Sequence, residues 1–147
     1  MLRQLAQTDM GAAAQVHRIA FDHAMPWLAG LHTPDEDHWF YRERVFPTCH
    51  VWGCFTGEEL SGIIAFNDGW IEQFYVRPTA HGRGIGTELL RVATDTFERL
   101  ELWTFQRNTR ARRFYEARGF VLAEETDGTR NEEKEPDARY VWTRPGR

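Results

Sequence analysis

The chain is poor in the residues that build metal centres and disulfide frameworks. Its two cysteines, Cys49 and Cys54, lie in a segment that reads as extended; five residues apart, they fall on opposite faces of one strand and read as buried free thiols. No Cys/His spacing of the zinc-site kind occurs, and His32 and His38, six apart, do not share a helical face, so no metal is expected. No apolar run approaches the roughly 20 residues of a membrane span, and Met1-Leu2-Arg3-Gln4 lacks a signal-peptide core. These absences point to a cytoplasmic protein with no membrane partner. Internal repeats and domain linkers are also missing. Nucleic-acid binding is disfavoured, because the formal charge is −4 and the basic residues form no dedicated stripe.

What is present suits one folded domain spanning residues 1–147. The length leaves room for a core, and 41% hydrophobic residues with 14% aromatic argue against disorder. Charge is unevenly spread. Met1 to Val76 holds four arginines against ten acids, Arg77 to Arg118 nine arginines against five acids, and Gly119 to Arg147 five basic against seven acidic residues. A basic middle suits a polyanionic ligand and an acidic first half suits a cationic one, since clefts of one sign concentrate the opposite charge.

The basic middle carries the most informative stretch, Val76-Arg77-Pro78-Thr79-Ala80-His81-Gly82-Arg83-Gly84-Ile85-Gly86-Thr87-Glu88-Leu89-Leu90. A strand ends at Pro78 and a glycine-rich turn opens into an amphipathic helix. Glycines remove Cβ atoms where backbone approaches a ligand, and the first helical N–H groups, unpaired within the helix, converge on an anion. The run fits neither the dinucleotide fingerprint nor the P-loop, because Gly86 is followed by Thr87 and Glu88.

Around this loop the pattern predicts a short strand over Leu2 to Gln7, then a helix through Ala12, Val16, Ile19 and Ala20 capped by Thr8-Asp9. A second helix starts at Thr33-Pro34-Asp35-Glu36, an N-cap threonine with proline first and glutamate in the capping-box place. Strands follow at His50 to Phe55, Leu60 to Asn67 and, after the tight turn Asn67-Asp68-Gly69-Trp70, Ile71 to Arg77. The glycine-loop helix aligns Ile85, Leu89, Val92 or Ala93, Phe97 and Leu100 on one face, and Leu100 to Phe105 forms the next strand. A helix over Arg110 to Arg118 ends at Gly119 as a left-handed cap, and Phe120 to Glu125 and Tyr140 to Thr143 close the sheet around a solvated acidic link, Asn131 to Asp137. Trp103 and Trp142 are left unsorted between surface and core.

Three blocks, Glu72-Gln73-Phe74-Tyr75-Val76, His81-Gly82-Arg83-Gly84-Ile85-Gly86, and Asn108 with Phe114-Tyr115-Glu116-Ala117-Arg118-Gly119-Phe120, resemble in order and spacing the GNAT superfamily of acetyl-CoA-dependent N-acetyltransferases. His81 departs from that family's Gln/Arg. The resemblance implies an α/β GNAT fold: a mixed, mostly antiparallel sheet flanked by helices, with a parallel strand pair, here Ile71–Arg77 and Leu100–Phe105, that splays apart. It implies transfer of an acetyl group from acetyl-CoA to a primary amine of a small molecule or peptide, by direct attack in a ternary complex. A catalytically silent CoA-binding sensor, or a transferase of longer acyl groups, are the alternatives.

The resemblance also assigns roles. His81, Gly82, Arg83, Gly84, Ile85, Gly86 and Thr87 would hold the pyrophosphate. Phe74, Tyr75 and Val76 would hold the pantetheine arm together with Asn108, which also suits the N-cap of its helix. The Val76 N–H would stabilise charge on the thioester oxygen. Tyr115 would protonate the departing thiolate, and Glu72, placed by the two-residue period on one face with Phe74 and Val76, or a water, would be the general base. Trp27, Leu28 and Trp39 are candidates for the acceptor wall. A homodimer paired through the carboxyl-terminal strands is one assembly open to the family.

Overall fold

The structure, a computed structural model, describes residues 1–146. Seven strands form one mixed sheet in the order β1-β2-β3-β4-β5-β7-β6. They are β1 (Leu2–Gln4), β2 (His50–Thr56), β3 (Glu59–Asn67), β4 (Trp70–Val76), β5 (Arg99–Phe105), β6 (Val121–Thr126) and β7 (Asp137–Thr143). The helices are α1 (Met10–Ala24), α2 (Pro34–Phe40), α3 (Phe46–Thr48), α4 (Ile85–Thr96) and α5 (Thr109–Ala117). This is the GNAT fold that the three sequence blocks imply. No helix among the described residues is long and apolar enough to cross a membrane.

Two cores cover the two faces of the sheet. On one, Ile85, Leu89 and Ala93 of α4 meet Ile64, Phe66, Leu100 and Leu102, with Tyr115 and Phe120 beside them. On the other, Met10, Ala13 and Val16 of α1 meet Tyr41, Ile63 and Ala65. All strand neighbours are antiparallel except β4 and β5, whose parallel pairing is confined to Trp70 opposite Glu101. Beyond that point the two strands separate and leave a gap.

Local signals set several boundaries. The Thr33 hydroxyl accepts the Glu36 N–H at 3.1 Å and the Glu36 carboxylate accepts the Thr33 N–H at 2.7 Å, the reciprocal capping box read from the sequence. At the far end of α5, Gly119 at φ +90° lets the Phe120 N–H reach the Tyr115 carbonyl and the Gly119 N–H the Glu116 carbonyl.

Other expectations are corrected. The helix of the glycine loop stops at Thr96; Phe97 is already extended and Leu100 belongs to β5. Cys49 precedes β2, so only Cys54 lies on that strand; both are free thiols. Trp103 is 44% exposed whereas Trp142 is in the core. The acidic link is not wholly solvated, because Glu135 is 4% exposed and ion-paired with Arg107.

Candidate active site

The gap between β4 and β5 has on one side a mouth formed by the glycine loop and the start of α4. Gly82 and Gly84 adopt φ +79° and +78°, and a Cβ on either would meet nothing within 4 Å, so the loop surrounds open space. The first backbone bond into α4 is from the Glu88 N–H to the Gly84 carbonyl, which leaves the N–H groups of Ile85, Gly86 and Thr87 without helical acceptors. Gly86 is needed for packing as well: a Cβ there would lie 3.1 Å from the Phe114 ring. Ile85 buries its side chain in the core and offers only backbone to the mouth. Arg118 donates to the Thr87 hydroxyl at 2.8 Å while its guanidinium covers the Phe114 ring at 3.7 Å. Arg83 adds charge in the loop itself.

His81 sits against this mouth, 6.4 Å from the His23 ring. Burial holds its imidazole below the usual range, Arg110 and His23 push the same way, and the nearby Val76 backbone opposes them. Loop glycines, free helical N–H groups and arginines together fit a pyrophosphate.

Within the gap, β4 presents unpaired backbone. Arg77 donates to the Ser61 carbonyl at 2.8 Å, which makes the next opposed residues, Gly62 and Val76, a pair without mutual hydrogen bonds. Val76, and Phe74 two residues before it opposite Ile64, therefore turn their N–H and C=O away from β3 toward the space that β5 vacates. Tyr115 lies below. Its ring is packed among Phe74 at 6.2 Å, Phe114 at 5.5 Å and Phe120 at 5.4 Å, and its hydroxyl makes no hydrogen bond to another side chain or backbone group among the described residues. Burial, reinforced by the nearby Tyr75 phenol, pushes the Tyr115 hydroxyl well above its ordinary range, so it stays protonated. Asn108 caps α5 by accepting the Ala111 N–H at 3.2 Å.

A β-bulge overturns the expected placement of Glu72. Phe66 lies opposite Ile71 and Ala65 opposite Gln73, which makes Glu72 the extra residue. The alternation therefore shifts: Ile71, Phe74 and Val76 pack toward α4 and α5, whereas Glu72, Gln73 and Tyr75 line a cavity on the α1 side. Glu72 does not share a face with Phe74 and Val76, and the Tyr75 ring belongs to this cavity.

The cavity measures about 620 Å³ and lies between α1, α2, β4, β5 and the β6–β7 loop. Its aromatic walls are Phe21, Trp39, Phe40, Tyr75, Trp103 and Phe105. Its acids are Asp35, Glu36, Asp37, Glu72, Glu132 and Glu133, against Arg18, His17 and His32. Arg18 is neutralised by Asp37, at 2.8 Å and 2.9 Å, and by Asp22 at 3.2 Å. The His17 ring stacks on Tyr75 at 4.3 Å and meets the Tyr41 hydroxyl at 2.6 Å; burial, then Arg18, lower its pKa to about 4. The cavity is therefore strongly negative at neutral pH.

Of the expected acceptor wall, Trp39 lines this cavity and Trp27 and Leu28 do not. Trp27 is a buttress: its indole donates to Glu135 at 3.0 Å and Arg107 covers its ring at 4.0 Å, which ties the α1–α2 connection to the β6–β7 loop. His17, Phe21, Phe105, Glu132 and Glu133 were not singled out by the sequence. The i, i+4 spacing of His17 and Phe21 was the only local signal, and it is shared by core helices.

The acetyltransferase (GNAT) family model matches residues 14–120. Similar solved structures include apo-form YjaB from Escherichia coli, with a TM-score of 0.80 at 15% identity over 99% of this chain and 98% of that one. The yncA structure from Salmonella typhimurium, with its cofactor acetyl-CoA, has a TM-score of 0.74 at 16% identity over 100% and 95%. The paia N-acetyltransferase from Thermoplasma acidophilum, in complex with coenzyme A, has a TM-score of 0.69 at 17% identity over 97% and 98%. No curated protein sequence matches.

Proposed function

The chain belongs to the acetyltransferase (GNAT) family, and from that premise we propose that it transfers the acetyl group of acetyl-CoA to a primary amine of a cationic small molecule or peptide. The observation that carries this reading is the gap itself. It has an anion cradle at one mouth, unpaired β4 backbone along its side, and an acidic, aromatic cavity opening beyond it. The acetyl-CoA and coenzyme A held by the Salmonella and Thermoplasma proteins support the choice of donor.

In this reading the α4 N-terminus, the loop glycines, Arg83 and His81 bind the pyrophosphate, with Thr87 held in place by Arg118. The backbone of Phe74 to Val76, with Asn108, aligns the pantetheine arm. The amine enters from the acidic cavity, which concentrates it but also favours its charged form, so a base is needed before it can attack. Glu72, the exposed extra residue of the bulge and part of the cavity lining, takes that proton directly or through a water. The nitrogen then bonds to the thioester carbon and releases its second proton to solvent, the carbon–sulfur bond breaks, and the Val76 N–H steadies charge on the carbonyl oxygen. Tyr115 gives its proton to the sulfur and is reprotonated from solvent. Ordinary phenol and thiol values differ by about 1.5 units, or roughly 2 kcal/mol uphill, and the burial that raises the Tyr115 phenol adds to that cost except as far as it raises the thiolate with it.

Acetyl-CoA binding by calorimetry, followed by thiol release with a panel of primary amines, tests the reading. Binding with release establishes the transferase and its acceptor class. Binding without release for any amine points to a silent CoA-binding module, and absence of binding overturns the donor assignment.

A further inference from the structure

The loop from residue 127 to 136 is braced from within. The Asn131 amide donates to the Glu135 carbonyl at 2.7 Å and to Asp137 at 3.2 Å, and its oxygen accepts the Glu135 N–H at 3.2 Å. Lys134, at φ +56°, turns its ammonium onto the Thr129 carbonyl at 2.8 Å. The Glu135 carboxylate is held by Arg107 and Trp27, and Glu132 meets the His32 ring at 2.7 Å. One carboxylate of the run is left over. Glu133 is half-buried, pairs with no cation among the described residues, and lies close enough to the Tyr75 phenol to add to the burial that pushes it up.

Glu133 also lines a second cavity of about 320 Å³, adjoining the first and sharing Trp103 and Phe105 with it. No basic residue lines this second space. Its other acid, Asp137, is satisfied only by the neutral donors Thr126 and Asn131. A half-buried carboxylate beside aromatic faces, without a counter-ion, is an arrangement that a bound ammonium stabilises and that an anion or a neutral polar group does not.

We propose that the acceptor is a linear diamine or polyamine whose distal ammonium is held by Glu133 between Tyr75 and Trp103, with any further chain running into the second cavity. This rests on the reading of the first cavity as the acceptor site. The test is calorimetry of diaminobutane, diaminopentane and spermidine against butylamine and pentylamine, on protein saturated with CoA and at about 0.1 M ionic strength. The diamines are expected to bind at least about tenfold tighter than monoamines of matched length. Glu133→Gln should bring that ratio to within about threefold of one, and Glu133→Lys should abolish diamine binding. Glu133→Asp, which keeps the charge, should retain part of the preference. A wild-type ratio near one, or a ratio untouched by Glu133→Gln, overturns the proposal, as does equal loss in the Gln and Asp variants. Acetylation of monoamines without diamine preference would sink this inference alone; Glu133-dependent diamine binding without thiol release would sink the transferase reading and leave the cation site standing.

Discussion

Arg18 grips Asp37 with two parallel hydrogen bonds, Nε to Oδ2 at 2.8 Å and Nη2 to Oδ1 at 2.9 Å, on the wall of the larger cavity. The pair joins α1 to α2 and cancels the one arginine charge among the cavity's lining residues. Asp37→Asn leaves the guanidinium with Asp22 alone. The expected loss is about 2 kcal/mol, on the low side for a broken buried pair because Asp22 remains, which amounts to a fall of about 5 °C in Tm. The released charge also opposes a cationic acceptor, so KM for an amine should rise several-fold while acetyl-CoA affinity is retained. Scanning calorimetry and steady-state kinetics read the two effects separately.

Tyr115→Phe removes a hydroxyl that has no hydrogen-bond partner among the described residues and leaves the ring in place among Phe74, Phe114 and Phe120. Stability should be unchanged. If the hydroxyl protonates the leaving sulfur, kcat falls about a hundredfold, within the range for a lost general acid, with acetyl-CoA affinity kept to about twofold. Unchanged kcat removes Tyr115 from the chemistry; a large loss of affinity makes it a binding residue instead.

Gly84→Ala tests the anion cradle. A Cβ there meets no neighbour, so its effect on the fold is confined to the left-handed φ of +78°, about 1 kcal/mol. Gly57, at φ +62° in the β2–β3 turn and equally open, supplies the control. Both alanine variants should lower Tm by a similar few degrees. Only the Gly84 variant should weaken coenzyme A, by about tenfold or more, because only there does the new methyl group enter the space the pyrophosphate needs. Equal coenzyme A affinity in the two would place the pyrophosphate elsewhere.

The features legible in the sequence are those fixed by neighbours along the chain. Thr33, Pro34 and Glu36 specify a helix start within four residues, Gly119 specifies a helix end, and the glycines after Pro78 specify a loop that opens a helix. Features that depend on a distant partner were not legible. The bulge at Glu72 exists because β3 sets the register of β4, so strict alternation put that carboxylate on the wrong face. Glu135 reads as one more solvated acid in an acidic run until Arg107, far off in sequence, and Trp27 are brought against it. The cavity draws its lining from two helices, two strands and two loops, so it has no signature in any one segment.

His17 makes stability depend on pH. It is buried against Tyr75 and Tyr41, and burial lowers its pKa from 6.5 to about 4. The unfolded chain therefore binds a proton between those values that the folded chain does not. Stability rises with pH across the window: the contribution is fully present above about 6.5 and is lost progressively as pH falls toward 4. A shift of this size corresponds to about 3 kcal/mol. His17→Gln, which keeps a polar group near the Tyr41 hydroxyl but does not titrate, should flatten the urea midpoint between pH 6.5 and 4 while leaving the acid loss from carboxylates below it. An unaltered slope in that variant would mean that the imidazole takes up its proton over the same pH range in the folded and unfolded chains.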